Sequence, residues 1–261
     1  MSELNCVQRL LDHPVSGVKW GSARHFLAAH RLFFRQHLDV INAHVGCCGS
    51  RLPPDMITAV CIAVNSSREC VYCDGVFMSL ARIAGVSGVE ELRCAKTPAQ
   101  SKAAVDSKYA TAVQYAQEFG ATFGVGPQLG DAYGKVENEL GAKQANSVKA
   151  IATFLYWTAT TGNSVNDAKR HLLGVEPIYN VSMLSLFVFL YYGPLFFVAF
   201  CMRHVLGALP TMTEQAWFFR MIGAMQWFAT TIFLVPLGVV AYLSPCCMPA
   251  KPILPDPGFL C

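Results

Sequence analysis

With 261 residues, 53% of them hydrophobic and 14% charged, and a mean hydropathy of +0.36, the chain is too apolar for an ordinary soluble protein of its size. Its net charge of +3 and pI near 8.3 are mild, and no Lys/Arg run interleaves with aromatics, which argues against a nucleic-acid partner. Eleven cysteines, among them the adjacent pairs Cys47/Cys48 and Cys246/Cys247, do not follow the spacing of a secreted disulfide framework, so most are expected to be reduced.

The first twenty residues contain Glu3 and Asp12 and no apolar run, so they do not read as a secretory signal. Residues 22 to 45 place Phe26, Leu27, Leu32, Phe33, Leu38, Ile41 and Val45 on one broad stripe and predict a long helix. His30, His37 and His44 recur on that helix every seven residues, with neighbours about 10 Å apart, too far to share a metal. They read as a polar helix face or a subunit contact. Pro54 opens a short, very apolar helix over 54 to 66. A Cys-Val-Tyr-Cys sequence, Cys70 to Cys73, then leads an amphipathic segment that stops at Gly85.

Ser87 and Glu90 have the spacing of a capping box. Helical periodicity continues over 106 to 124, 127 to 141 and 143 to 173, with Gly-containing breaks between. The prediction is an all-α domain of five to seven helices. Two uncharged runs follow, 182 to 202 and 221 to 243, each long enough for the roughly 20 residues that a helix needs to cross a bilayer. Tyr179, Arg203, His204, Trp217, Arg220 and Tyr242 flank them as interfacial residues do, and His171 also reads as interfacial. A transmembrane hairpin is therefore expected, both chain ends on one side, with a weak positive bias toward the cytoplasmic or equivalent face. The Pro-rich tail, 246 to 261, carries Cys246 and Cys247 where reversible S-acylation occurs.

The CxxC carries the clearest chemistry. A thiol at a helix N-terminus meets free N–H groups and the positive end of the dipole, which favours a thiolate. A second thiol one turn away can then resolve a sulfenic acid or mixed disulfide. Zinc would need further ligands at matching spacing, and Cys47, Cys48, Cys61 and Cys94 supply no second CxxC, so no metal is expected. A thioredoxin fold is excluded because no βαβ pattern surrounds the motif. Two thiols packed structurally in a helical core remain an open alternative.

The apolar helix after a proline, then Cys-x-Tyr-Cys, "SLARIAGVS", "YATAVQYAQEF" and "ANSVKAIATFLYWTATTGNSVND" together resemble the AhpD-like alkylhydroperoxidase group of the carboxymuconolactone decarboxylase family. The resemblance covers residues 35 to 172. It implies an AhpD-like helical domain over 35 to 175 and assembly as trimers or hexamers; outside it lie a helical extension over 1 to 34 and the two membrane helices expected within 176 to 245. It also implies cofactor-free, thiol-dependent reduction of organic or lipid hydroperoxides, with Cys73 attacking, Cys70 resolving and a partner dithiol as electron donor.

Two positions depart from the family pattern. A histidine four residues after the second cysteine is replaced by Phe77, and a glutamate twelve residues before the first by Thr58. Thr58, Tyr72 and Phe77 are expected at the substrate pocket. Loss of a general acid or base lowers rates by about 100- to 10,000-fold, so a non-catalytic membrane subunit or scaffold is the rival reading. The decarboxylase branch is disfavoured, since Val60, Ile62, Val64, Val71 and Phe77 offer no polar hold for an acidic lactone.

Overall fold

The computed structural model describes residues 19–21, 23–46, 49–105, 107–122, 124, 127–210 and 216–243. The acylation candidates Cys246 and Cys247, the tail that carries them, and Cys47 and Cys48 lie outside the described residues. Every regular element among the described residues is helical. In chain order they are α1 (Ala23–Val45), α2 (Pro54–Arg68), α3 (Val71–Ala84), α4 (Val89–Cys94), α5 (Pro98–Ala103), α6 (Ala110–Ala121), α7 (Pro127–Leu140), α8 (Ala142–Leu172), α9 (Met183–Ala208) and α10 (Ala216–Leu243). Short 3-10 turns precede α6 and α9.

The long helices fall where their apolar periodicity puts them, and one detail differs. Ser87 and Glu90 do not form a capping box; Gly88, in a left-handed conformation, precedes α4 with no side-chain cap. The box is one helix later, where Thr97 accepts from the Gln100 N–H and the Gln100 side chain returns to the Thr97 N–H. Spacing alone did not distinguish the two, because Gly88 lets the chain turn one residue closer. α1 runs through residues 34 and 35 as one continuous helix, in line with the apolar stripe over 22 to 45.

α2 and α8 are the interior. Residues 56 to 66 of α2 are all buried, and α8 is buried over most of its 31 residues. A helix apolar on all sides needs neighbours on all sides: α6, α3 and α8 surround α2, while α1, α9 and α2 surround α8. Some polar residues of α8 are bonded where they enter this interior. Trp20 donates from its backbone N–H to Ser164 Oγ (3.0 Å) and from its ring to Thr161 Oγ1 (3.2 Å). Lys19 pairs with the buried Asp167 at 2.7 Å.

α9 and α10, each long and apolar enough to cross a membrane, pack chiefly on the body rather than on one another. α9 lies on α8 and along α3, and α10 lies along α1. They meet each other where the Tyr191 hydroxyl donates to Phe233 O at 3.0 Å. The opposite flank of each is exposed and apolar, with Leu190, Phe197 and Val205 on α9 and Met225, Phe228 and Ile232 on α10.

The three heptad histidines are not an outward polar face, as the sequence suggested. They point inward and dock these two helices. His30 donates through Nδ1 to Phe26 O (2.7 Å), and its Nε2 accepts the Tyr192 hydroxyl of α9 at 2.6 Å. His37 stacks on the Trp227 ring (5.0 Å, 16°) and donates to Thr231 Oγ1 (2.6 Å), whose own proton goes to Trp227 O. The His44 ring lies against Gly223, where a Cβ would collide with it. His171, expected at an interface, is likewise buried and bonds Pro177 O at 2.7 Å. A seven-residue repeat reports a helix face; it does not say what covers that face.

Burial lowers the pKa of His30, His37 and His44 to about 4 each, from an ordinary 6.5. Between these values the unfolded chain binds protons that the folded one excludes, so their contribution is complete above pH 6.5 and is lost as pH falls toward 4. In detergent, the thermal midpoint of the full chain should therefore drop by at least about 4 °C between pH 7 and pH 4.5. Replacing all three histidines by Gln should flatten that slope.

Candidate functional site

The turn between α2 and α3 sets the position of the cysteines. α2 ends when Glu69 adopts φ 56°, ψ 41°, a left-handed conformation that costs a non-glycine residue about 1 kcal/mol or more. Its N–H closes on Asn65 O at 2.7 Å, and Lys96 holds its carboxylate at 2.6 Å. The Asn65 side chain then brackets Cys70, accepting the Cys70 N–H at 3.1 Å and donating to Cys70 O at 3.3 Å. The result is a bend of two residues that delivers Cys70 to the N-cap of α3.

At that cap the Cys70 sulfur accepts the Cys73 N–H, with Sγ 3.5 Å from N. Both thiols are free, Cys70 wholly buried and Cys73 4% exposed. The expectation that the helix start lowers the thiol pKa is not met at Cys73. Burial pushes this thiol up, and its hydrogen bond with Cys70, the charge of Cys70, Cys61 and Asp74 push it the same way. Glu69 and Asp74, which flank the motif, are both engaged with cations, Glu69 with Lys96 and Asp74 with Arg93 at 3.4 Å.

The cover over Cys70 comes from α8 and α9. A Cβ on Gly162 would stand 2.7 Å from the Cys70 sulfur and 2.7 Å from Phe196 Cε1, so only glycine lets these three elements meet. Phe196 also leans on the Tyr72 ring at 5.3 Å. Further along, Arg82 of α3 donates to Leu206 O and Gly207 O (3.1 and 3.2 Å), capping the end of α9 and fixing its register.

Of the three residues expected to line a substrate pocket, Thr58 and Phe77 share one small cavity and Tyr72 is elsewhere, beneath Phe196. The cavity is walled by Ile57, Cys61, Leu80, Ile151 and Phe154, and closed by His44 of α1 and Phe219, Ile222 and Gln226 of α10. Val60, Ile62, Val64 and Val71 do not line it. The Thr58 hydroxyl donates to Pro54 O at 2.7 Å, and an alcohol is far too weak a base to stand in for a carboxylate. Cys61 faces the cavity, and burial raises its thiol pKa.

Several polar residues near the dithiol were not singled out from the sequence. Arg68 is 1% exposed, donates to Thr160 Oγ1 (2.9 Å) and Gly120 O (3.4 Å), and lies 4.7 Å over the Tyr156 ring. Asn163 donates to Arg68 O at 2.8 Å. Lys169 places its Nζ 5.7 Å from the Tyr72 ring centre. Their signal was the density of polar residues inside apolar runs, "VNSSREC" and "TTGNSVNDAKRH", which only becomes informative once both runs are known to be interior. Among the described residues no group of three or more His, Cys, Asp or Glu side chains is arranged to hold a metal. No family model matches the chain, and neither the curated proteins nor the solved structures contain a significant match to it.

Phe196→Ala should raise the rate at which iodoacetamide labels Cys70 by at least about tenfold while lowering stability by about 3–5 kcal/mol. Peptide mapping after timed labelling checks the first effect, and urea unfolding checks the second.

Proposed function

We propose that the chain is a membrane-anchored thiol–disulfide oxidoreductase that reduces organic or lipid hydroperoxides through Cys70 and Cys73. The observation that carries this reading is the contact of the Cys70 sulfur with the Cys73 N–H at the start of α3, beneath an apolar helix. Two thiols of one helical turn can close to a disulfide without moving the backbone far. The overall change is ROOH plus two thiols to ROH, water and one disulfide, and a separate dithiol donor returns the pair to the reduced state. No cofactor or metal is invoked.

The resemblance to AhpD-like alkylhydroperoxidases motivates the same chemistry and a homo-oligomer, trimeric or hexameric. α9 and α10 are the anchor, crossing the bilayer as two spans with both chain ends on the cytoplasmic or equivalent face. This would bring the dithiol close to oxidised acyl chains.

The second reading, a non-catalytic membrane subunit or scaffold, is favoured by a specific observation. Phe77 and Thr58 line an apolar cavity and supply neither acid nor base, and the Cys73 thiol is pushed up rather than down.

Turnover of tert-butyl hydroperoxide by the full chain in detergent, with a dithiol donor, separates the two. Cys70→Ser and Cys73→Ser should each abolish the activity, and the wild type should run about 100- to 10,000-fold slower than an enzyme with an acid–base relay. Absence of both turnover and disulfide formation would leave the scaffold.

A further inference from the structure

Two buried polar atoms on one stripe of α8 have no hydrogen-bond partner: Asn166 Oδ1 and Lys169 Nζ. At about 100° per residue, Asn166 and Lys169 fall within about 40° of Gly162 around the helix. Gly162 is where Cys70 touches α8. Lys169 begins about 10 Å further along, and helical side chains lean toward the N-terminus. That lean returns the ammonium to the Tyr72 ring, 5.7 Å from its centre. Tyr72 lies between the two cysteines, and the charge of Cys70 acts on its hydroxyl.

The charges around this point leave the ammonium unanswered. On its own helix, Arg170 is paired with Glu176 at 2.8 Å. From α2 come Arg68, bonded to Thr160, and Glu69, held by Lys96. α3 supplies Cys73 and Asp74, the latter paired with Arg93. From α9, Arg203 lies against Gly75. On the sulfur side the asymmetry is equally plain, since only Cys70 occupies the cap position and receives a backbone N–H.

We propose that Cys70, and not Cys73, is the attacking sulfur, and that Lys169 is its positioning residue, holding a positive charge over Tyr72 that stabilises the Cys70 thiolate. This reverses the roles that the resemblance assigns, and it rests on the dithiol reading above. The Cys70 thiolate attacks the distal peroxide oxygen, forming S–O and breaking O–O, and the departing alkoxide takes up, through water, the proton that Cys70 lost on ionising, and leaves as ROH. The Cys73 thiol then attacks the Cys70 sulfenic acid; the S–S bond forms, the S–O bond breaks, and water leaves with the Cys73 proton. The dithiol donor returns two electrons. Cys73 can remain a thiol until the second step, in keeping with its raised pKa.

Burial, and then Arg170, lower the pKa of Lys169 to about 8. Its charge therefore acts below pH 8 and fades above it, whereas an arginine at the same place stays charged.

The test is iodoacetamide labelling of the full chain in detergent from pH 6.5 to 9.5, mapped at Cys70 and Cys73, for wild type, Lys169→Met and Lys169→Arg. Cys70 should label about tenfold faster than Cys73 at pH 7.5, and Lys169→Met should slow Cys70 about tenfold, leaving Cys73 unchanged. Lys169→Arg should keep the wild-type rate at pH 7.5 and exceed it above pH 8. Faster labelling of Cys73, or superimposable Cys70 profiles for all three proteins, overturns the proposal. If Lys169→Met does not fold, the divergence of Lys169→Arg from wild type above pH 8 decides alone. Labelling in the expected order without oxidation by tert-butyl hydroperoxide would sink the peroxidase reading and keep this assignment; oxidation without the order would do the reverse.

Discussion

The arrangement of the molecule depends on a missing side chain. At Gly162 the backbone of α8 comes close enough to Cys70 and Phe196 that no Cβ would fit. Because helix packing distance is set by the side chains at the crossing, this one position decides how near α9 comes to α8 and how tightly it covers the start of α3. The rest of the site follows. Tyr72 is pinned between Phe196 and Lys169, and the end of α9 is drawn to Arg82.

Around the cysteines, polar groups of this interior bridge one element to the next. A buried amide or guanidinium without partners costs several kcal/mol. Arg68 and Asn65 reduce that cost, Asn65 by bonding the Cys70 backbone and Arg68 by bonding Gly120 O and the Thr160 hydroxyl. Arg68 ties α2 to α6 and α8 through Gly120 O and Thr160, and Asn65 holds the Cys70 backbone from both sides. The left-handed Glu69 between them is stabilised by its bonds to Asn65 O and Lys96. The cysteines thus sit on a junction made rigid by neighbours that are themselves buried, a reason for their geometry that does not depend on whether they react.

The positions of the helices were legible because α1, α6 and α7 carry one-sided apolar stripes, and because Pro54 and Gly85 mark the start of α2 and the end of α3. The cysteine pair was equally visible as a spacing. What could not be read was which elements would meet. His30, His37 and His44 have the same pattern whether they face water or another helix, and only the arrival of α9 and α10 some 150 or more residues later along the chain distinguishes the cases. For the same reason the spacing of the thiols left both a helix entrance and a packed core open. Their burial comes from Gly162 and Phe196, neither of which carries a local sign of proximity to Cys70.

The inward flank of α9 has a further consequence. Phe196 and Tyr192 face the body, while Phe197 and Leu190 face outward. In a bilayer, lipid tails would wet only the outward residues as long as the helix lies against α8. Complete immersion would strip Phe196 from Cys70, so hydrocarbon and protein are rival solvents for a single helix. Were α9 to enter a bilayer, the thickness and composition of that bilayer would become variables in how well the sulfur is shielded.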